Sequence, residues 1–147
     1  MKKILLILAF AMLSLVAKEA VDTNKYVNSV QAKQMEAKEL NRLIKEDVED
    51  LYIVDIREPD QVGHGEIFHL NLITITRGYL EFKIENKIPN KNARIVVYCC
   101  TGKRGTLAAK TLNNMGYTNV FSLKGGIRQW VADGYPLDTV YGEMFVK

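Results

Sequence analysis

Cys99 and Cys100 are adjacent and are the only two cysteines in the chain. Their spacing limits what they can be for. Consecutive Cα atoms across a trans peptide lie about 3.8 Å apart, inside the ~4.4 Å lower edge of ordinary disulfides. A bridge between them would be strained and easily reduced, whereas a domain stapled by disulfides spreads its cysteines along the chain. These thiols read as chemistry rather than scaffold. They head the run Cys99-Cys-Thr-Gly-Lys-Arg-Gly-Thr106, which follows Ile95-Val-Val-Tyr98, the strongest buried-strand signal in the sequence. Beyond the run, Leu107, Ala108, Leu112 and Met115 fall at helical spacing over Thr106–Met115. A sulfur between a strand end and a helix start faces successive backbone N–H groups and the positive end of the helix. Both favour the ionised sulfur that a nucleophile of this kind needs.

The other residues of the run suit the same task. Gly102 and Gly105 let the chain curl without a Cβ clash. Lys103 and Arg104 bring positive charge suited to an oxyanion substrate such as a thiosulfonate. The hydroxyls of Thr101 and Thr106 are donors into the loop, and Thr106 is also placed to cap the helix. Cys99 is the expected nucleophile. An inert buried thiol, packing as a small hydrophobe, is the bland alternative, and it leaves the glycines and charges around it unexplained. For Cys100 two readings stay open: a filler of the first variable loop position, or a resolving thiol that attacks a modified Cys99.

The elements that must hold this loop can be read outward from it. Met35, Leu40, Leu43 and Ile44 lie near one face of a helix, and Leu51-Tyr-Ile-Val54 is a short buried strand. Pro59 marks Asp55–Asp60 as a loop. A strand is expected near Leu70–Ile75, a short helix opening at Arg77–Phe82, and a turn at Pro89–Asn92. Gly116 stops the helix after the cysteine loop, and Asn119-Val-Phe121 is another strand. From Gly126 a helix carries Ile127, Trp130 and Val131 on one side and stops at Gly134, with Pro136 beyond. Gly125-Gly126 suits a tight strand-to-helix turn. Strands alternating with helices imply an α/β fold with a central parallel β-sheet flanked by helices on both faces. Ligands of such sheets gather beyond the carboxyl ends of the strands, where Cys99 falls.

A chain of 147 residues that is 48% hydrophobic suits one domain with its own core. The net charge of +3 owes something to Lys2 and Lys3, which precede the apolar run Ile4–Val16. A positive start and an apolar stretch too short to span a bilayer comfortably is the order of a secretory signal. Without those two lysines the balance is +1, which gives no support to a nucleic-acid or membrane-surface role. The expected organisation is a signal peptide over 1–17, a polar lead-in over 18–34, the domain over 35–138 and an unassigned tail over 139–147. The expected location is periplasmic or secreted, with no stable membrane insertion once the signal is removed. An uncleaved anchor is the alternative, because Leu15 only loosely fits the small-residue cleavage pattern.

The stretch Ile95–Trp130 resembles the catalytic half of a single-domain rhodanese. The shared pattern is a valine-rich strand, Cys-x-Ser/Thr-Gly-x-Arg, a helix with paired alanines, Gly-Tyr-x-Asn-Val, then Gly-Gly-x-x-x-Trp. Tyr52-Ile-Val-Asp-Ile-Arg57 is similar to the family's earlier Ile-Asp-Val-Arg element, and the likeness covers about residues 36–138. It departs in two places. Gly63-His-Gly-Glu-Ile-Phe-His-Leu-Asn71 replaces the usual Gly-His-Ile-Pro-Gly-Ala and puts that pocket wall in question. Gly105 stands where a serine or similar residue often follows the arginine, which suggests a looser rim.

The resemblance implies a thiosulfate-type sulfurtransferase. Cys99 would take sulfur from a small donor and hold it as a persulfide on the N–H groups of Cys100, Thr101, Gly102, Lys103, Arg104 and Gly105. A thiol, a protein thiol or cyanide would then collect it, with neither a metal nor an organic cofactor. Phosphatases and arsenate reductases of this architecture place five residues between Cys and Arg. Four separate Cys99 from Arg104, and three separate Cys100 from it, so the loop fits sulfur transfer better. Asp55 and Arg57 read as a structural pair tying loops together. His64 and His69, two isolated histidines, make a weak metal pair. Two other classes stay in view: a thiol–disulfide oxidoreductase built on Cys99–Cys100, and a non-catalytic persulfide carrier.

Overall fold

The computed structural model describes residues 22–145. The segment read as a signal peptide lies outside them. Five parallel strands form the central sheet: β1 (Gln34–Met35), β2 (Leu51–Asp55), β3 (Leu72–Thr74), β4 (Arg94–Tyr98) and β5 (Val120–Leu123), in the order β1-β5-β4-β2-β3. Helices α1 (Thr23–Ser29), α2 (Ala37–Lys45), α3 (Pro59–Val62), α4 (Leu80–Lys87), α5 (Lys103–Asn114) and α6 (Gly126–Ala132) surround it, and a 3₁₀ turn, Arg77–Tyr79, leads into α4. This is the α/β architecture expected from the alternation of elements.

Strands β2 and β4 are central and buried on both faces, which explains their nearly unbroken apolar sequences. Alternate side chains divide the core in two. Leu51, Ile53, Val96 and Tyr98 pack with Leu40 and Leu43 of α2 and with Ile127 and Trp130 of α6. Val54, Ile95, Val97 and Cys99 pack on the other side with Leu80 and Ile84 of α4 and Ala108, Ala109 and Leu112 of α5. The small residues Gly105, Ala108 and Ala109 form the buried stripe of α5, so this helix can lie close to the sheet.

Short elements depart from the sequence expectations. The polar stretch read as a lead-in carries α1, whose first turn is capped by Asp22 Oδ1 accepting from the N–H groups of Asn24 (2.9 Å) and Lys25 (3.3 Å). Met35 belongs to β1, and α2 begins after it. Pro59 opens α3 instead of a plain loop, because a proline at the first helical position gives up no hydrogen bond. Two antiparallel strands, β6 (Leu137–Thr139) and β7 (Gly142–Met144), run from the last residues of the expected domain into the tail that had no assignment. Asp138 bridges to Glu66 through N–H···O bonds of 2.8 and 2.9 Å. The wall that departs from the family pattern is tied down by this bridge. Among the described residues no helix is long and apolar enough to cross a membrane.

Candidate active site

The site lies where β4 and β2 end. Cys99 directly follows β4, with its side chain on the α5 side of the sheet, and the residue is 1% exposed. Cys100 is half-buried and Thr101 is exposed. Gly102 then turns the chain with φ +84°, a left-handed conformation that suits glycine, and serves as the N-cap of α5. The helix therefore starts at Lys103, three residues before Thr106. Thr106 is not the cap. Its hydroxyl donates to the Gly102 carbonyl (3.1 Å) and accepts from Gln34 Nε2 (3.1 Å), so it is turned to the helix and β1.

Two glycine turns interlock beneath the loop. Gly125 and Gly126 have φ of +71° and +63°. A Cβ on Gly126 would stand 2.3 Å from the Cys99 carbonyl oxygen and 2.7 Å from the Gly102 nitrogen, both backbone atoms that cannot step aside. The start of α6 grips the loop by its carbonyls: Ile127 N–H donates to Cys99 O (2.9 Å) and Arg128 N–H to Cys100 O (3.1 Å). In a planar trans peptide, C=O and N–H point opposite ways. Pulling these two carbonyls toward α6 turns the N–H groups of Cys100 and Thr101 away from it.

The Gly102 carbonyl accepts from Thr106 N–H at 2.9 Å and from Ser122 Oγ at 3.5 Å, besides the Thr106 hydroxyl. Lys103 N–H, across the same peptide, faces back into the loop. Among the described residues no hydrogen bond takes the N–H groups from Cys100 to Gly105, and Thr106 N–H is the first in the helix that is bonded. Unpaired amides at the start of a helix are a site for a negative charge.

Gly105 does not loosen the rim. It is buried against β5, and a Cβ there would meet Ser122 Oγ at 2.8 Å and Val97 O at 3.3 Å. The Ser122 side chain occupies the space, so a hydroxyl comes from β5 where the family pattern often has one on the helix.

Arg104 stands half-buried at the rim. Its Nη2 donates to Gln61 Oε1 (2.7 Å) and lies 3.9 Å from Cys100 Sγ, while Nη1 lies 3.4 Å from Glu58 Oε1. Glu58 and Gln61 are functional neighbours that the sequence did not single out. The available signal was Glu58-Pro59-Asp-Gln61: proline at the first helical position and glutamine at the third mark a helix start. Glu58 N–H donates to Gln61 Oε1 at 3.4 Å, which helps to orient the amide that meets Arg104. Lys103 is exposed and donates to Asn24 Oδ1 of α1 (2.6 Å).

Asp55 and Arg57 sit beside the loop and are 0% and 3% exposed. Arg57 Nε and Nη2 donate to the Asp55 carboxylate at 2.6–3.0 Å, and Arg57 N–H adds a bond to Oδ1 at 2.9 Å. Nη1 donates to Gln61 O (2.9 Å) and Nη2 to Gly65 O (2.8 Å). These bonds join β2, α3 and the Gly65 turn. Burial alone would lower the pKa of Arg57, but the hydrogen bonds and charge of Asp55 outweigh it and raise it. Tyr98 is raised by burial and then by the Asp55 charge, with Arg57 opposing, and its oxygen accepts Ile67 N–H at 3.4 Å. His69 is lowered by burial, and its Nδ1 accepts Asn71 N–H (3.2 Å). His64 is exposed. Among the described residues no three His, Cys, Asp or Glu side chains gather to hold a metal ion.

A rhodanese-like domain model matches residues 36–133, and the chain belongs to that family. Sulfurtransferases are among its relatives. A sulfurtransferase of Allochromatium vinosum is 34% identical over 96 residues, 62% of this chain and 81% of that protein. The tRNA uridine(34) hydroxylase of Prochlorococcus marinus is 32% identical over 114 residues, and the match spans 72% of this chain but only 36% of the hydroxylase. Among solved structures, the polysulfide-sulfur transferase homodimer of Wolinella succinogenes superposes with a TM-score of 0.67 at 27% identity, covering 77% of this chain and 84% of that one.

Proposed function

We propose that the chain moves a sulfane sulfur from a thiosulfate-like donor to a thiol or cyanide through a Cys99 persulfide. The observation that carries this reading is the run of unpaired N–H groups from Cys100 to Gly105, wrapped around the end of β4 where Cys99 sits. Those dipoles suit a sulfur anion, first the thiolate and then the persulfide.

The exchange has two displacements. The Cys99 thiolate attacks the outer sulfur of the donor. A new S–S bond forms, the donor's S–S bond breaks, and sulfite leaves with the bonding pair. Cyanide or an acceptor thiolate then attacks the outer sulfur of the persulfide, takes it, and returns Cys99 as thiolate. Neither step calls for a metal or an organic cofactor. Arg104 supplies positive charge for the anionic donor at the rim, aimed by Gln61 and partly offset by Glu58. Asp55 and Arg57 hold the wall. The similarity to the Allochromatium and Wolinella proteins supports this reaction class. The hydroxylase match covers too little of that enzyme to favour its activity.

Export belongs to the same proposal and rests on the lysine-led apolar run ahead of the domain. Amino-terminal sequencing of the protein recovered from a periplasmic fraction tests it. Recovery only from the cytoplasm with an intact Met1 overturns it.

Thiosulfate:cyanide transfer by wild type and Cys99→Ser tests the chemistry. The variant should lose turnover by at least about a thousandfold, as expected when a nucleophile is removed. Thiosulfate-treated wild type should carry one extra sulfur on the Cys99 peptide. Retention of turnover by Cys99→Ser overturns the assignment. A loaded protein that never passes its sulfur on marks a carrier instead. Disulfide exchange with a protein substrate, without sulfur transfer, marks an oxidoreductase.

A further inference from the structure

The two adjacent thiols are not equivalent. Cys99 is 1% exposed and packed with Val97, Ala108 and Ala109, whereas Cys100 is half-buried with its sulfur 3.9 Å from Arg104 Nη2. We infer that Cys100 is a second sulfur-carrying thiol, which takes the outer sulfur from the Cys99 persulfide and presents it at the rim to a protein thiol too bulky to reach Cys99. This rests on the persulfide chemistry proposed above.

Access is the first support. Cys99 is 1% exposed, so what reaches it must be small, as cyanide is. A cysteine on a folded protein arrives with its own surface attached and meets the rim first. Cys100 and Arg104 stand there.

Ring geometry is the second. A direct Cys99–Cys100 disulfide must close a small ring around one trans peptide, with the two Cα atoms about 3.8 Å apart. Handing over a sulfur makes a gentler demand. The migrating atom lies between the two Sγ atoms, so their separation is two S–S lengths of about 2 Å each or slightly more. The ring is one atom larger and strain is relieved. The residues that disfavour a disulfide therefore still permit a relay.

The step balances. Cys100 thiolate attacks the outer sulfur of Cys99–S–SH. A Cys100 S–S bond forms, the Cys99 S–S bond breaks, and Cys99 leaves as thiolate. No electron is gained or lost overall and no co-reactant is needed. Arg104 is the counter-ion for the sulfur anion at the rim, and Gln61 keeps its guanidinium in place at 2.7 Å.

Mass spectrometry and kinetics test the relay together. Wild type, Cys99→Ser and Cys100→Ser are treated with thiosulfate, freed of excess donor and alkylated. The tryptic peptide Ile95–Lys103 is then fragmented between the two cysteines. Wild type should show the extra sulfur on Cys99 first and then on Cys100, and Cys99→Ser should stay unloaded. Transfer is also followed to cyanide and to serum albumin, through its one free thiol. In Cys100→Ser the albumin rate should fall at least about tenfold more than the cyanide rate. Sulfur found only on Cys99, an unchanged albumin-to-cyanide ratio in Cys100→Ser, or loading of Cys100 in Cys99→Ser each overturns the relay. If wild-type Cys99 never gains sulfur, the sulfurtransferase reading fails and the relay with it. If Cys99 loads and Cys100 does not, only the relay fails.

Discussion

Neighbouring strands β2 and β4 end side by side, and the loops that follow them use their polar groups in opposite ways. After β2, Arg57 gives its donors to Asp55, Gln61 O and Gly65 O, and the pair is sealed from water. After β4, a run of backbone N–H groups is left without partners among the described residues, beside a thiol and an arginine. The first loop is closed on itself and makes a wall. The second is open to an anion and makes a site. Position at the carboxyl edge of a parallel sheet does not by itself distinguish the two loops; what each leaves unpaired does.

The largest effect should come from breaking the closed loop. Asp55→Ala leaves the Arg57 charge buried without its carboxylate, which costs about 3–5 kcal/mol and should lower the melting temperature by roughly 10 °C. A drop of only a degree or two in thermal unfolding would show that solvent reaches Arg57 and that the two loops do not differ in kind.

A smaller effect, of a different kind, should come from the open loop. Arg104→Gln should raise KM for thiosulfate roughly tenfold, the scale of one charge-assisted contact, while the melting temperature moves little. Steady-state kinetics beside a thermal melt separates the two. A large loss of stability with unchanged KM would make Arg104 part of the wall.

The smallest effect sharpens the boundary between the loops. Glu66 is raised by burial first, then by the negative charges of Asp55 and Asp138, with Arg57 opposing. The folded protein thus holds the Glu66 proton more tightly than the unfolded chain does. Its contribution to stability is full below the ordinary carboxylate value of 4.5 and is lost as pH rises through the raised folded value. Glu66→Gln should therefore melt above wild type at neutral pH by roughly a degree or two, the scale of a partly exposed charge. The gap should close on acidification. Parallel melting curves at every pH would remove Glu66 from the electrostatics of the wall.

The sequence showed most of the sheet because β2 and β4, covered on both faces, cannot afford a polar interruption. The position of Cys99 was legible for a related reason, as the first residue after such a strand. The start of α5 was not, since Gly102 caps the helix in a left-handed conformation where a hydroxyl residue is the usual sign. Three-residue strands such as β6 and β7 carry too little pattern to register. The Gln61–Arg104 contact spans 43 residues and depends on how α3 folds, so nothing local announces it. Gly105 misled because its replacement hydroxyl comes from a different strand, at Ser122.

The fit of Gly126 against Cys99 and Gly102 is made by main-chain atoms alone. The placement of Cys99 is thereby insulated from the identity of the side chains around it. Lys103, exposed and at a position the shared pattern leaves open, can drift under selection for new donors or acceptors while the sulfur stays where it is. A scaffold built this way can diversify its clientele without having to rediscover its chemistry.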